Sequence, residues 1–412
     1  MKKQHAWPED HWNWSIPVSH KHGVRCGQML WVGGQVDLTP EGAVCNPGDL
    51  DAQIPNAMAA FRRVLSDLGA DVGDLVKLLC FYVNGGLVDE AAFLNSVAAC
   101  LPLGVKCAVT AVPVPYLAYP DLAVEIEGIA MRGEQGEALS RIHIDGAPGL
   151  MAMPAPFVHA LQCGKMIFVS GQSPMNDAGE VMFAGDIVTQ TKQVMKQHAA
   201  LLGALGADLD DAVKLNRWYV GHGSEADFEP AALACGAYFS EPGPCGTGIP
   251  IPRHAVVGQQ IKIELICMRG EDGARLARRH VWPESLWDWT IDLPYKHGLQ
   301  CHDMIFLGGQ VSLDKAGHAV SPDELSAQTR TAMTHIGTIL GELGAGYADV
   351  CKVIAYYEGK CSQSILHENL AIRSSCFAEP GPATTGIPFP RLAYPGMVIE
   401  IAVIAMMEPY EG

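Results

Sequence analysis

The sequence predicts an α+β protein made of three tandem copies of one module, arranged as a single-chain pseudo-trimer. Three observations predict it. Val32-Gly33-Gly34-Gln35, Val169-Ser170-Gly171-Gln172 and Leu307-Gly308-Gly309-Gln310 follow one another at offsets of 137 and 138 residues. The same offsets carry Leu68-Gly69-Ala70 onto Leu205-Gly206-Ala207 and Leu343-Gly344-Ala345, and Val76-Lys77 onto Val213-Lys214 and Cys351-Lys352. Two charged, glycine-bearing segments, 131–136 and 268–273, are nearly identical and read as linkers, which places the repeats at 1–133, 141–270 and 279–412.

Each element follows from its pattern. Met29–Val36 is a short apolar run through Gly-Gly, a buried strand with a close backbone approach near its end. Ile54, Met58, Phe61, Leu65 and Leu68 form the apolar stripe of an amphipathic helix. Met195, Leu202 and Leu205 continue that stripe in the second copy, and Met333, Ile336, Leu340 and Leu343 in the third. Gly69, Gly206 and Gly344 stand where a left-handed cap ends the helix. A strand at Val76–Val83, a helix over 89–100 and a long strand at Leu122–Met131 complete the module. Antiparallel strands with helices on one face leave the other face bare, and three copies bury those faces around a pseudo-threefold axis.

Composition narrows the function classes. The 412 residues are 49% hydrophobic and 18% charged, which excludes a disordered or coiled-coil chain. Twenty-eight basic against 45 acidic residues give a net charge of −17, a poor match for nucleic acid or an anionic membrane. No apolar run reaches the ~18–20 residues of a membrane span. The start, Met1-Lys2-Lys3, has no apolar stretch behind it, so no signal peptide is expected. Thirteen scattered cysteines without a Cys-x-x-Cys pair fit reduced thiols in a cytoplasm and neither a disulfide scaffold nor a structural zinc site. The expected partner is a small-molecule substrate, with no cofactor and no metal. The chain itself is expected to be a monomeric pseudo-trimer, further association being left open.

The segments Phe168–Gln172, Leu205–Lys214, Tyr238–Pro244 and Val398–Ala405 resemble the Rid/YjgF family of enamine and imine deaminases, once per repeat over the whole chain. The resemblance implies a chorismate-mutase-like fold and, from the family's homotrimers, three clefts between repeats. It places the family's water-holding glutamate at Glu125 and Glu400, with Lys262 in the second copy. The family's carboxylate-binding arginine falls on Thr384 or Thr385, on Gly246 or Thr247, and on Val109 or Thr110, none of them arginine. Arg253 and Arg391, with Tyr116 in the first copy, each follow a Pro-x-Pro that marks a sheet edge or rigid loop. A guanidinium there is either a fork for a carboxylate or imide oxygen or a surface ion pair. The family's aromatic position maps to His20, Phe157 and Tyr295.

Other residues recur in all copies. His22, His159 and His297 either orient water and move a proton or fix a loop by bonding a carbonyl. A three-histidine metal site has no supporting pattern around it. Thr110, Thr247 and Thr385 bring hydroxyls near the expected clefts. Lys77, Lys214 and Lys352 read as strand lysines with solvated ends, and Tyr82, Tyr219 and Tyr357 as core tyrosines. His5-x-Trp7-Pro8-Glu9-x-x-Trp12-x-Trp14 reappears as His280-x-Trp282-Pro283-Glu284-x-x-Trp287-x-Trp289, either roofing a cleft or stapling an arm to a neighbouring repeat.

These residues point first to a hydrolase or deaminase acting on a C=N or C–N bond, with Glu125 or Glu400 orienting water. A ring-opening cyclic amide hydrolase resembling the cyanuric acid hydrolase/barbiturase group is the second reading. It needs a hydroxyl–lysine pair in each repeat, and Ser170 has only glycines opposite it at 33 and 308. A non-catalytic metabolite-binding module is the third.

Overall fold

Capping residues and glycines set the limits of the helices. In a computed structural model, which describes residues 1–86 and 88–412, the three stripes form 18-residue helices. Asp49 and Asp186 cap the first two by accepting N–H bonds from Ala52 and Thr189. Gly69, Gly206 and Gly344 follow the helices with φ of 72°, 73° and 79°, a conformation that side chains resist.

The first repeat runs β1 (Lys3–Ala6), β2 (Gly23–Cys26), β3 (Met29–Gln35), α1 (Leu50–Asp67), β4 (Leu75–Val83), α2 (Glu90–Ala98), β5 (Cys107–Val114) and β6 (Val124–Met131). The second runs β7 (Arg141–Ile144), β8 (Phe157–Val158), β9 (Ala160–Cys163), β10 (Met166–Gln172), α3 (Ile187–Ala204), β11 (Ala212–Val220), α4 (Glu225–Gly236), β12 (Cys245–Ile251) and β13 (Ile261–Met268). The third runs β14 (Arg278–Val281), β15 (Gly298–Cys301), β16 (Met304–Leu307), α5 (Leu325–Glu342), β17 (Val350–Glu358), α6 (Gln363–Ser374), β18 (Ala383–Phe389) and β19 (Ile399–Met406). Among the described residues no helix is long and apolar enough to cross a membrane.

The sheets are mixed rather than antiparallel throughout. β4–β5, β11–β12 and β17–β18 pair in parallel, and the second helix of each repeat supplies the crossover that a parallel pair requires. Pro250 and Pro388 lie in β12 and β18, the edge strands of their sheets, where a missing N–H disrupts no ladder.

Three seams close the repeats into a ring. β8 extends the first sheet by pairing with β5. Gly309 N–H donates to Gly246 O at 2.9 Å across the second seam, and Lys21 N–H to Pro382 O at 3.1 Å across the third. Any side chain on Gly33 would overlap the Thr384 carbonyl of the third repeat, so the first glycine of the repeated motif is a requirement of the seam. Ser170, at that position in the second copy, accepts the Val109 N–H at 2.8 Å and donates to Val158 O at 2.6 Å.

Inside the ring the bare sheet faces meet in one apolar cluster that includes Trp31, Phe168, Phe306 and Cys351. Lys77, Lys214 and Lys352, expected to reach solvent, are buried there and line an axial cavity of about 510 Å³. The inner faces of β4, β11 and β17 point at one another, which leaves these chains no path outward.

Candidate functional site

Each seam holds a cleft, and the second glycine of the motif makes room for the group beneath it. A side chain on Gly34 would overlap the Glu125 carboxylate, and one on Gly309 the Glu400 carboxylate. Both glutamates lie on the last strand of their repeat, opposite Phe81 and Tyr356. Burial pushes the Glu400 carboxyl up to about 7 and the Glu125 carboxyl up to about 8, with Glu127 adding to the rise at Glu125. Backbone N–H groups of Gly248 and Gly386, and nearby Lys214 and Lys352, partly oppose these shifts.

The cleft between the second and third repeats is a narrow pocket walled by Phe228, Trp287, Trp289, Tyr295 and Tyr394, with Glu400 and Thr247 at its floor. Arg217 of β11 also reaches it. Its guanidinium is 2% exposed, and Nε and Nη1 have no hydrogen-bond partner. The cleft between the third and first repeats repeats the design with Trp12, Trp14, Tyr119, Glu125, Thr384 and Thr385. Here the arginine is Arg373, which comes from α6. Arg217 Nη2 and Arg373 Nη2 lie 3.0 and 3.5 Å from where side chains on Gly248 and Gly386 would begin, so different elements deliver a guanidinium to equivalent places. Arg373 is engaged: it donates to Asn369 Oδ1 at 3.0 and 2.8 Å and to Thr384 Oγ1 at 2.9 Å.

The cleft between the first and second repeats differs. Lys262 stands in for the glutamate, pairs with Glu90 at 2.6 Å and donates to Ala111 O at 2.7 Å. His159, Gln172 and Met151 line the rest, and His159 bridges the other two.

The structure separates several residues that the sequence grouped. His22 stacks on Trp14, their rings 5.1 Å apart and 9° from parallel, and His297 stacks on Trp282 at 3.8 Å. His297 donates from Nε2 to Trp287 O and accepts the Gln310 amide at Nδ1. Burial lowers all three histidines, His297 to about 4, which keeps them neutral, His22 and His297 behind the tryptophan arms and His159 between Met151 and Gln172. Among the described residues no group of three His, Cys, Asp or Glu is close enough to hold a metal ion. His20 bonds Pro382 O at 3.2 Å in the third seam, and Phe157 belongs to β8 in the first. Only Tyr295 of that aromatic set lines a cleft described here.

Tyr116, Arg253 and Arg391 pack on loops of the preceding repeat in the ring rather than in the clefts. Tyr116 donates to Gly359 O, Arg253 lies against Gly86, and Arg391 packs on Gly223 while pairing with the exposed side of Glu358. The threonines are brought to the lysines. Thr247 Oγ1 accepts from Lys214 at 2.6 Å and Thr385 Oγ1 from Lys352 at 2.7 Å, whereas Thr110 donates to Glu264. Sequence reasoning missed Arg217 and Arg373. A signal existed: Leu366, Leu370 and Arg373 share one helical stripe, and Arg217 alternates with Leu215 and Tyr219 on one strand face.

A family model described as Endoribonuclease L-PSP matches residues 16–132, 150–267 and 291–407. Protein DfrA of Myxococcus xanthus is 32% identical over 136 residues, 32% of this chain and 96% of that protein. A RutC family protein of Pyrococcus abyssi is 33% identical over 99 residues, 24% of this chain and 75% of that one. Among solved structures, a YjgF/YER057c/UK114 family member from Mycobacterium tuberculosis aligns with 32% of this chain and 100% of its own, at 24% identity and a TM-score of 0.27. A chorismatase aligns with 81% of this chain and 93% of its own, at 13% identity and a TM-score of 0.48.

Proposed function

The chain belongs to the Endoribonuclease L-PSP family, once in each repeat, and on that premise we propose that it hydrolyses or deaminates a small molecule at a C=N or C–N bond in its inter-repeat clefts. The observation that carries the reading is the pair of buried carboxyls, Glu400 at about 7 and Glu125 at about 8, each held under an aromatic roof. A carboxyl poised near neutrality protonates a departing or attacked nitrogen, and its carboxylate form takes a proton from water. Tryptophan and tyrosine walls suit a flat substrate, and Arg217 supports recognition of an anionic or carbonyl oxygen in the cleft of Glu400. The cleft with Lys262 lacks the carboxyl and is assigned no turnover.

The test is ammonia release from a panel of imines and enamines and ring opening of a panel of cyclic amides, with Glu125→Gln and Glu400→Gln made singly and together. The double variant is expected to lose at least ~100-fold in rate, the scale of acid–base catalysis. Binding of a panel compound with neither ammonia release nor ring opening by the unaltered chain would instead establish a binding module.

A further inference from the structure

The three axial lysines are chemically unequal. Lys77 pairs with Glu264, and Lys352 with Glu127 at 2.8 Å, both buried. The position equivalent to Glu127 and Glu264 in the third repeat is Ala402, so Lys214 has no carboxylate partner. Its Nζ is held instead by Thr247 Oγ1 at 2.6 Å and Leu307 O at 3.0 Å. Thr247 faces the same cleft as Arg217 and Glu400.

We propose that Thr247 is a nucleophile and Lys214 its general base, making the cleft between the second and third repeats a site of acyl transfer from amide, imide or activated ester carbonyls. The proposal rests on the reading above that this cleft takes small molecules with a C–N bond. A carboxylate partner favours the ammonium form of a lysine and opposes proton loss; burial without such a partner drives a lysine toward the neutral amine. Burial lowers Lys214 to about 8, with Cys245, Glu400 and Glu264 opposing the shift. Thr385 has the same hydroxyl–lysine contact, and burial lowers Lys352 too, but there the paired Glu127 opposes the loss of its proton, so the third and first repeats are assigned no such chemistry.

In the step itself, Oγ1 bonds to the carbonyl carbon while the hydroxyl proton passes to Nζ of Lys214. The carbonyl π electrons move to oxygen, where the unpaired N–H groups of Arg217 receive the charge. Collapse re-forms the C=O and breaks the C–N bond, and the leaving nitrogen takes the proton of the Glu400 carboxyl. Water then hydrolyses the threonyl ester, returning the acid, the free hydroxyl and the protons.

The experiment uses the full chain and p-nitrophenyl acetate. A burst of about one p-nitrophenolate per chain is expected, rising with pH through an inflection near 8, with acetyl mapped by peptide mass to Thr247 and not to Thr385. Thr247→Ser is expected to keep the burst, Thr247→Val and Lys214→Met to lose it at least ~100-fold, with thermal unfolding confirming that each is folded. A burst undiminished in Thr247→Val, or no acetyl on Thr247 in the unaltered chain, overturns the proposal. Ammonia release or ring opening that survives in folded Thr247→Val retains the C–N reading and rejects only the nucleophile, whereas acetylation of Thr247 with neither from any panel compound does the reverse.

Discussion

Glu125 and Glu400 are seated in space that Gly34 and Gly309 leave free, and burial there raises the pKa of both carboxyls. Gly309→Ala is therefore expected to push the Glu400 carboxylate out of its seat, costing about 1–3 kcal/mol in overpacking and most of the activity of that cleft, while Gly308 and the seam stay intact. Activity assays alongside denaturant melts check both. The pH sign follows from the shifts. Both carboxyls are raised in the folded state from an ordinary value of 4.5, so the folded chain binds protons that the unfolded chain has lost. Their contribution to stability is full below about 4.5 and falls as pH rises through about 7 for Glu400 and about 8 for Glu125. The difference in unfolding free energy between the unaltered chain and Glu125→Gln/Glu400→Gln should shift toward the variant between pH 5 and 9; a difference independent of pH would contradict the assignment. The glutamates were legible through the family resemblance, which carries its glutamate onto the last strand of the first and third repeats. Arg217 and Arg373 were not, because two different elements deliver them and no single register links them.

At the scale of elements, the tryptophan arms do two things at once. Trp287 packs edge-on against Trp289 at 4.7 Å and against the His297 ring at 4.6 Å, and both indoles also wall the cleft. Trp287→Ala should cost about 3–5 kcal/mol of stability, as large-to-small core changes do, and weaken ligand binding to that cleft. Calorimetric melting and a binding titration separate the two effects. The arms recur in the first and third repeats only, which matches the two clefts that carry a glutamate. Helices were readable from stripe, cap and glycine. The strand β5 and its parallel pairing with β4 were not, because the segment runs into the Pro113-x-Pro115 pair that reads as an edge or loop, and apolar periodicity does not state direction. The Pro-x-Pro arginines show the same limit: sequence placed them on rigid edges, and only packing shows that they rest on the loops of a neighbouring repeat.

Across the whole molecule, closure of the ring puts charge where a single repeat would have put solvent. Lys77→Met strands Glu264 in the interior and should destabilise the fold by about 3–5 kcal/mol. Lys214→Met strands no carboxylate and should stay within about 1 kcal/mol of the unaltered chain, the lost desolvation cost offsetting the lost bonds to Thr247 and Leu307. Equal losses in urea unfolding would contradict the asymmetry of the axis. The fusion of three repeats makes this asymmetry available: in a homotrimer every lysine meets the same partner, whereas one chain can change Glu127 and Glu264 to Ala402 at a single seam.

By itself the sequence determined the triplication and the long helix of each repeat, because these depend on spacing along the chain, and its family resemblance placed Glu125 and Glu400 on the last strand. Only the tertiary structure decided that the lysines are buried, that His22 and His297 back the tryptophan arms, and that Arg217 and Thr247 share a cleft. Those facts depend on which faces pack together, across seams for the lysines and within a repeat for the histidines, and such packing leaves no periodic trace in the sequence.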